Sequence, residues 1–411
     1  MMAPRRAVPD GATLRSFAVL RTLAVVLASA LTGVLAMISL VSIRMARRVV
    51  TPAGRRPDTR IVDVDVAAQT ITVSRTPDTV LPGRYGLFTT GTADYLKVGS
   101  VLAETGATVT RKLLTQVAPE SRLGADAAFS GWYYPRPEEL HLPYHDVQIP
   151  AALGACPAWE FPADGGGDTW VIQIHGRGTT RAECLRAVPL FHARGITSLL
   201  VSYRNDGDGP HSRTGTYALG ATEWRDIDAA IGYARRHGAA RVVLMGWSMG
   251  GAIALQAALG SAHREFIAGV VLDSPVIDWR VVLNHQARLV RLPTPVAGLT
   301  IGALRTEWAT KATGAGSAIP FDRLDVVARA GELRHPVLIL HSDDDGFVPS
   351  EASHQLVVAR PDLVEMRVFS DARHTKLWNY DQVRWTTAIT EWMRRHDLVV
   401  EGVSPSPAEG S

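Results

Sequence analysis

The chain has 411 residues, 46% hydrophobic and 20% charged, so most of it can bury a core and a disordered chain is excluded. Lys and Arg number 43 against 40 Asp and Glu, a net charge of +3, which removes the electrostatic ground for a nucleic-acid partner. Two cysteines, Cys156 and Cys184, exclude a disulfide scaffold and match no zinc-ligand spacing.

At about 150 residues per domain the length predicts two or three units. Residues 1–21 carry Arg5, Arg6, Arg15 and Arg21 and read as a basic tail. Residues 22–43 (TLAVVLASALTGVLAMISLVSI) hold no charge and no proline. As a helix rising about 1.5 Å per residue they reach about 33 Å, against a hydrocarbon core of about 30 Å. A signal-peptide core usually runs about 7–15 residues and ends at small residues. Here Ala28-Ser29-Ala30 lies inside the run, so a retained single-pass anchor is expected. Arg44, Arg47, Arg48, Arg55, Arg56 and Arg60 follow it, six arginines against four, which favours a cytoplasmic body under the positive-inside rule.

Thr51 to Arg60 is polar and proline-punctuated, a linker. The period then switches to two at Val62-Asp63-Val64-Asp65-Val66 and Thr70-Ile71-Thr72-Val73-Ser74, with further strand-like stretches at Tyr95–Val98 and Val109–Val117. Residues 58–118 are thus expected to form a small β-rich accessory unit that spaces or covers a site. The connector that follows contains Trp132-Tyr133-Tyr134, expected to pack this unit onto the next one. From 140 to 398 short apolar runs alternate with amphipathic helices, the pattern of an α/β unit with a mainly parallel sheet flanked by helices. Strands are predicted at Thr169–His175, Ile196–Ser202, Arg241–Met245, Ile267–Leu272, Pro336–His341 and Val364–Phe369. Helices are predicted from Thr180 to about Arg194 (with Thr180 and Glu183 as a capping box), and over Glu223–Arg236, Glu351–Ala359 and Gln382–Arg395. Residues 401–411 read as a disordered tail.

The most informative stretch is Gly246-Trp247-Ser248-Met249-Gly250, a G-x-S-x-G pattern between an apolar strand and a small-residue helix, Ala252–Leu259. That setting suits a nucleophile elbow, whose glycines leave room for a tight turn that lifts Ser248 above the sheet. A serine hydroxyl is a poor nucleophile near neutral pH and needs a base and an orienting acid. His374 follows the last strand and is the expected base. Asp345, in Asp343-Asp344-Asp345-Gly346, is the expected acid, and the order Ser, Asp, His suits this fold.

These segments resemble the α/β-hydrolase superfamily over about residues 145–397, in its serine aminopeptidase-like and monoacylglycerol-lipase-like branch. In that branch a strand ending in H-G-x-x-D-x-x-V-P carries the acid. His341-Ser342-Asp343-Asp344-Asp345-Gly346-Phe347-Val348-Pro349 is similar, with Ser in place of Gly, and selects Asp345. The resemblance implies an oxyanion hole from the backbone N–H groups of Arg177, in His175-Gly176-Arg177-Gly178, and Met249. The Arg177 side chain is expected at the surface, a substrate anion being the alternative. His175 and His341 are expected to be structural. Residues 276–335 span the region where this superfamily often inserts a lid, a fold helix followed by a long loop being the alternative.

The resulting expectation is a membrane-anchored serine hydrolase that cleaves an ester, thioester or amide through an acyl-enzyme, with acyl-lipid esters favoured. It needs no metal or organic cofactor. A peptidase, or an inactive hydrolase fold serving as a membrane scaffold, are the alternatives.

Overall fold

The computed structural model describes residues 11–90, 95–118, 123–164 and 167–399. The expected tail at 401–411 and the first ten residues lie outside them. Helix α1 (Gly11–Val50) is 40 residues long, so helix replaces the expected tail from Gly11 onwards and runs past 43. Val19 to Val50 is long and apolar enough to cross a membrane. Between Val19 and Leu40 its large apolar side chains are exposed, with Ile38 partly covered. Beyond that point the helix joins the protein body, and Ser42, Ala46 and Val50 are buried.

Six antiparallel strands follow, β1 (Thr59–Asp65), β2 (Thr70–Ser74), β3 (Tyr85–Thr89), β4 (Tyr95–Glu104), β5 (Thr108–Leu113) and β6 (Asp126–Ser130). They close into a barrel in the order β1-β2-β5-β4-β3-β6. Closure therefore needs β6, which lies beyond the predicted limit at 118. The alternating strands were legible, but β3 (YGLFT) and β6 (DAAFS) were not, because they bury residues on both faces and carry no period of two. Leu87, Leu96, Val98, Val109, Ala127 and Phe129 fill the interior.

One end of the barrel is built around a buried guanidinium. Arg111 donates to Gly99 O through Nε (2.9 Å), to Thr79 O and Leu81 O through Nη1 (2.8 Å each), and to Gly83 O through Nη2 (2.9 Å). The 79–83 loop is thereby held by backbone carbonyls. Burial lowers the Arg111 pKa to about 10, so it remains cationic at neutral pH.

The larger unit is an eight-stranded sheet in the order β14-β13-β12-β11-β9-β10-β8-β7. A hairpin of β7 (His145–Ala151) and β8 (Gly154–Phe161) forms one antiparallel edge. The rest is parallel: β9 (Thr169–Ile174), β10 (Thr197–Val201), β11 (Arg241–Trp247), β12 (Ile267–Asp273), β13 (Val337–Ser342) and β14 (Val364–Phe369). β9 and β10 are buried at every position, as expected of apolar strands covered on both faces. The predicted helix from Thr180 divides into a 3-10 segment, Arg181–Ala187, and a short α2 (Val188–His192), with Pro189 at the junction. Helix α3 (Trp224–Arg236) covers one face, and α4 (Met249–Gly260) leaves the end of β11.

The region 276–335 is folded as helices α5 (Trp279–Leu289) and α6 (Thr294–Arg305) plus short turns. Helix α6 packs on α1: Thr300 Oγ1 donates to Ser42 O (3.3 Å), and Ser42 Oγ to Val296 O (3.2 Å). The connector aromatics join the two units as expected. Tyr133 and Tyr134 pack on Trp378, while Trp132 packs on Phe88 of the barrel.

Replacing Arg111 by Met would strand four buried carbonyls, each costing about 1–3 kcal/mol without a donor. Some relaxation is expected, so Arg111→Met should destabilise the protein by about 3–5 kcal/mol in denaturant unfolding. Arg111→Lys, which keeps the charge with fewer donors, should lose less.

Candidate active site

The turn between β11 and α4 is tight because its glycines sit where no side chain fits. A Cβ at Gly250 would run into the Ile174 carbonyl oxygen, and one at Gly246 into the Gly250 carbonyl. Backbone packed this closely puts Ser248 at φ 53°, ψ −117°, a conformation L residues rarely adopt. Ser248 is 8% exposed. Met249 is the first residue of α4, so its N–H lacks an intrahelical acceptor and lies at the positive end of the helix dipole.

The two distant partners converge on this hydroxyl. His374 Nε2 lies 2.9 Å from Ser248 Oγ, and its Nδ1 lies 2.7 Å from Asp345 Oδ2. With Nδ1 protonated toward the carboxylate, Nε2 is the acceptor for the serine hydroxyl. Asp345 Oδ1 accepts from the N–H groups of Phe347 and Val348 (2.8 Å each). Burial would raise the Asp345 carboxyl, but the charge of His374 and hydrogen bonds from His341 and His374 outweigh it and hold the pKa well below the usual range. The neighbouring aspartates turn elsewhere. Asp343 accepts from Ser350 Oγ (2.7 Å) and pairs with His354 (2.9 Å), while Asp344 meets Arg373 (3.1 Å).

His341 is buried behind this loop, with Nε2 3.0 Å from Val348 O and Nδ1 2.8 Å from Ser353 Oγ. It supports the acid loop and does not reach the serine. His175 is also buried, stacked on Tyr203 at 4.4 Å.

The Arg177 side chain is not free at the surface. Its Nη2 donates to the carbonyls of Arg48 and Thr51 (2.8 Å each) at the C-terminal end of α1. The Arg48 carbonyl is among the last of the helix and Thr51 lies just past its end, so neither has an intrahelical donor and the arginine caps them. The segment carrying the Arg177 N–H is thus tied to α1.

Glu183 also differs from its predicted role. Thr180 caps the 3-10 segment by accepting from Ala182 N, but Glu183 turns away from it. Glu183 Oε2 accepts from Gly176 N (2.7 Å) and Thr179 Oγ1 (2.9 Å), fixing the loop before Arg177. Arg186 is fully buried and donates through Nη1 to Gly131 O (2.9 Å) and Thr375 O (2.7 Å), linking the connector to the residue after His374. The signal for both was present in the sequence: after Arg181, Glu183 and Arg186 are charges set among Ala182, Cys184, Leu185 and Ala187.

The barrel contributes as well. Asp78 pairs with Arg373 (3.2 Å) and Lys376 (3.4 Å), on either side of His374. Asn379 Nδ2 donates to Arg84 O (2.7 Å). On the far side Ser274 Oγ accepts from Thr375 N (3.0 Å). The histidine loop is therefore gripped by both units.

A carboxyl whose folded pKa is depressed adds stability that is present above its unfolded pKa of about 3.9 and lost as pH falls toward the folded value. The stability gap between the native chain and Asp345→Asn should therefore narrow as pH falls from about 5 to below about 4. Denaturant melts of both proteins across that range would check it.

Residues 171–388, more than half of the chain, match the alpha/beta hydrolase family. Residues 60–130, which span the barrel, match a domain of unknown function (DUF8805). No curated protein matches the chain. Among solved structures, an esterase of Pyrococcus furiosus superposes with a TM-score of 0.51 at 20% identity, over 64% of this chain and 94% of its own. A serine hydrolase of Xanthomonas campestris, described as having no lid, gives a TM-score of 0.43 at 15% identity, over 61% of this chain and 94% of its own. The sheet order, the helix-flanked parallel strands and the family match agree: the chain belongs to the alpha/beta hydrolase family and is a hydrolase.

Proposed function

We propose that this hydrolase is a membrane-anchored serine enzyme that cleaves a carboxylic ester, thioester or amide, with acyl-lipid esters the favoured substrates. The observation that carries the reading is the unbroken row Ser248 Oγ, His374 Nε2, His374 Nδ1, Asp345 Oδ2, at 2.9 and 2.7 Å. In this reading Ser248 attacks the carbonyl carbon while His374 takes its proton. Asp345 holds the imidazole in the required tautomer and stabilises the imidazolium. The backbone N–H groups of Met249 and Arg177 receive the tetrahedral oxyanion, each worth about 2.7–4 kcal/mol by the effect of deleting one such donor. His374 then returns the proton to the leaving group, and the acyl-Ser248 is hydrolysed by a water that His374 activates.

The anchor reading is supported by the exposed apolar surface of α1 between Val19 and Leu40. Acyl lipids are favoured because the helix that would lie in the bilayer continues directly into the protein body at Ser42 and Ala46. The arginine imbalance favours a cytoplasmic body.

Ser248→Ala should abolish labelling by a fluorophosphonate and lower turnover of p-nitrophenyl esters by about 10⁴-fold or more, with circular dichroism unchanged. Labelling that persists in the folded variant would remove Ser248 from the mechanism. Alkaline carbonate washing should leave the chain in the membrane pellet; its release into the supernatant would remove the anchor.

A further inference from the structure

Arg55 lies in the strap between α1 and β1. Its guanidinium carbon sits 3.6 Å from the centroid of the Phe88 ring and 4.0 Å from that of Trp132. The two rings are themselves 5.3 Å apart, so the cation is lodged between them. A guanidinium normally finds carboxylates or carbonyls for its five N–H donors. Arg111 and Arg177 do so in this protein. Arg55 makes no hydrogen bond or ion pair with any described residue, and its Nη2 is sealed from solvent without a partner. Nε and Nη1 are not sealed in this way and the residue is only partly buried, so the fork keeps an open edge. Burial lowers its pKa to about 10, with Glu183 the strongest opposing charge, and it stays cationic at neutral pH. Glu183 is shared with other partners: its Oε2 holds Gly176 N and Thr179 Oγ1, and its Oε1 lies 3.8 Å from the Arg186 guanidinium.

The position of this cation is fixed from two sides. Glu183, which acts on it electrostatically, is bonded to Gly176, next to the Arg177 N–H. A Cβ at Gly176 would lie 3.4 Å from Ser248 Cβ. Trp132 follows Gly131, whose carbonyl shares the Arg186 Nη1 donor with Thr375, the residue after His374. The uncompensated cation thus stands between a barrel ring, Phe88, and a connector ring, Trp132, within electrostatic reach of the carboxylate that holds the loop before Arg177.

We propose that Arg55 receives an anionic group of the substrate, a carboxylate or a phosphate, so that the enzyme selects acidic esters. The inference rests on the serine-hydrolase reading above. The aromatic clamp fixes the orientation of the fork before binding, and an anion on its open edge supplies the acceptors that the protein withholds. No covalent step involves Arg55.

The test uses full-length protein in detergent and two matched pairs of esters. Mono-p-nitrophenyl glutarate against p-nitrophenyl pentanoate places the charge on the acyl side. 1-Oleoylglycerol 3-phosphate against 1-oleoylglycerol places it on the alcohol side. The native enzyme should prefer the anionic member of one pair, and Arg55→Gln should cut kcat/KM for that ester about 10- to 100-fold, the loss expected for a charged hydrogen bond. The neutral ester should change by less than about twofold, and Arg55→Lys should recover part of the preference. Which pair responds identifies the carboxylate or the phosphate as the source of the charge. Equal losses on both members, or no anionic preference in the native enzyme, would overturn the proposal. Where none of the esters is turned over, inorganic phosphate or glutarate should slow fluorophosphonate labelling of the native protein and leave Arg55→Gln unaffected; equal behaviour of the two overturns it. Absence of labelling in the native protein would instead sink the serine-hydrolase reading.

Discussion

The geometry of the site depends on backbone touching backbone. At the turn after β11 the carbonyls of Ile174 and Gly250 approach their neighbours so closely that no Cβ fits at Gly250 or Gly246. This contact leaves Ser248 at a positive φ, a strain of about 1–3 kcal/mol that the surrounding sheet must sustain. The same contact aims the hydroxyl away from β11 and toward the ends of β13 and β14, where the loops bearing Asp345 and His374 begin. A strained turn of this kind persists only in a rigid frame, and β9 and β12 on either side, buried except at Ala268, supply it.

A rigid serine still needs two loops brought to it, and neither loop is held by the sheet alone. The histidine loop is pinned by Asp78 and Arg84 from the barrel, by Arg186 from the 3-10 segment and by Ser274 from the end of β12. The loop carrying the Arg177 N–H is pinned by Glu183 from within and by the end of α1 from outside. Accessory barrel and terminal helix are therefore structural parts of the site. Arg111 matters for the same reason, since it holds the 79–83 stretch from which Arg84 reaches Asn379.

Much of this was legible in the chain itself. Parallel strands such as Val242-Val243-Leu244-Met245 announce themselves as apolar runs, and the G-x-S-x-G turn and the Asp345 loop carry their own spacing. What escaped has separate physical origins. β3 and β6 carry no period of two, because they bury residues on both faces, whereas the β7–β8 hairpin does alternate but holds Pro150 and Pro157, which read against a strand. Glu183 reads locally as a helix-capping residue, and only the three-dimensional approach of Gly176 shows another acceptor role. Arg177 and Arg55 look like ordinary basic residues until the end of α1 and the Phe88–Trp132 pair are seen beside them. Long-range pairing of single charges leaves no periodic mark.

The unbroken passage of α1 from exposed helix to buried core has a mechanical meaning. From Leu40 to Val50 the helix advances about 15 Å without a hinge, and a straight helix transmits tilt and rotation where a flexible tether would absorb them. With its upper part in a bilayer, the catalytic unit would be held like a tool on a short stiff shaft, at one height and facing one way. Neighbouring copies held in this way would share one orientation relative to the plane of the bilayer.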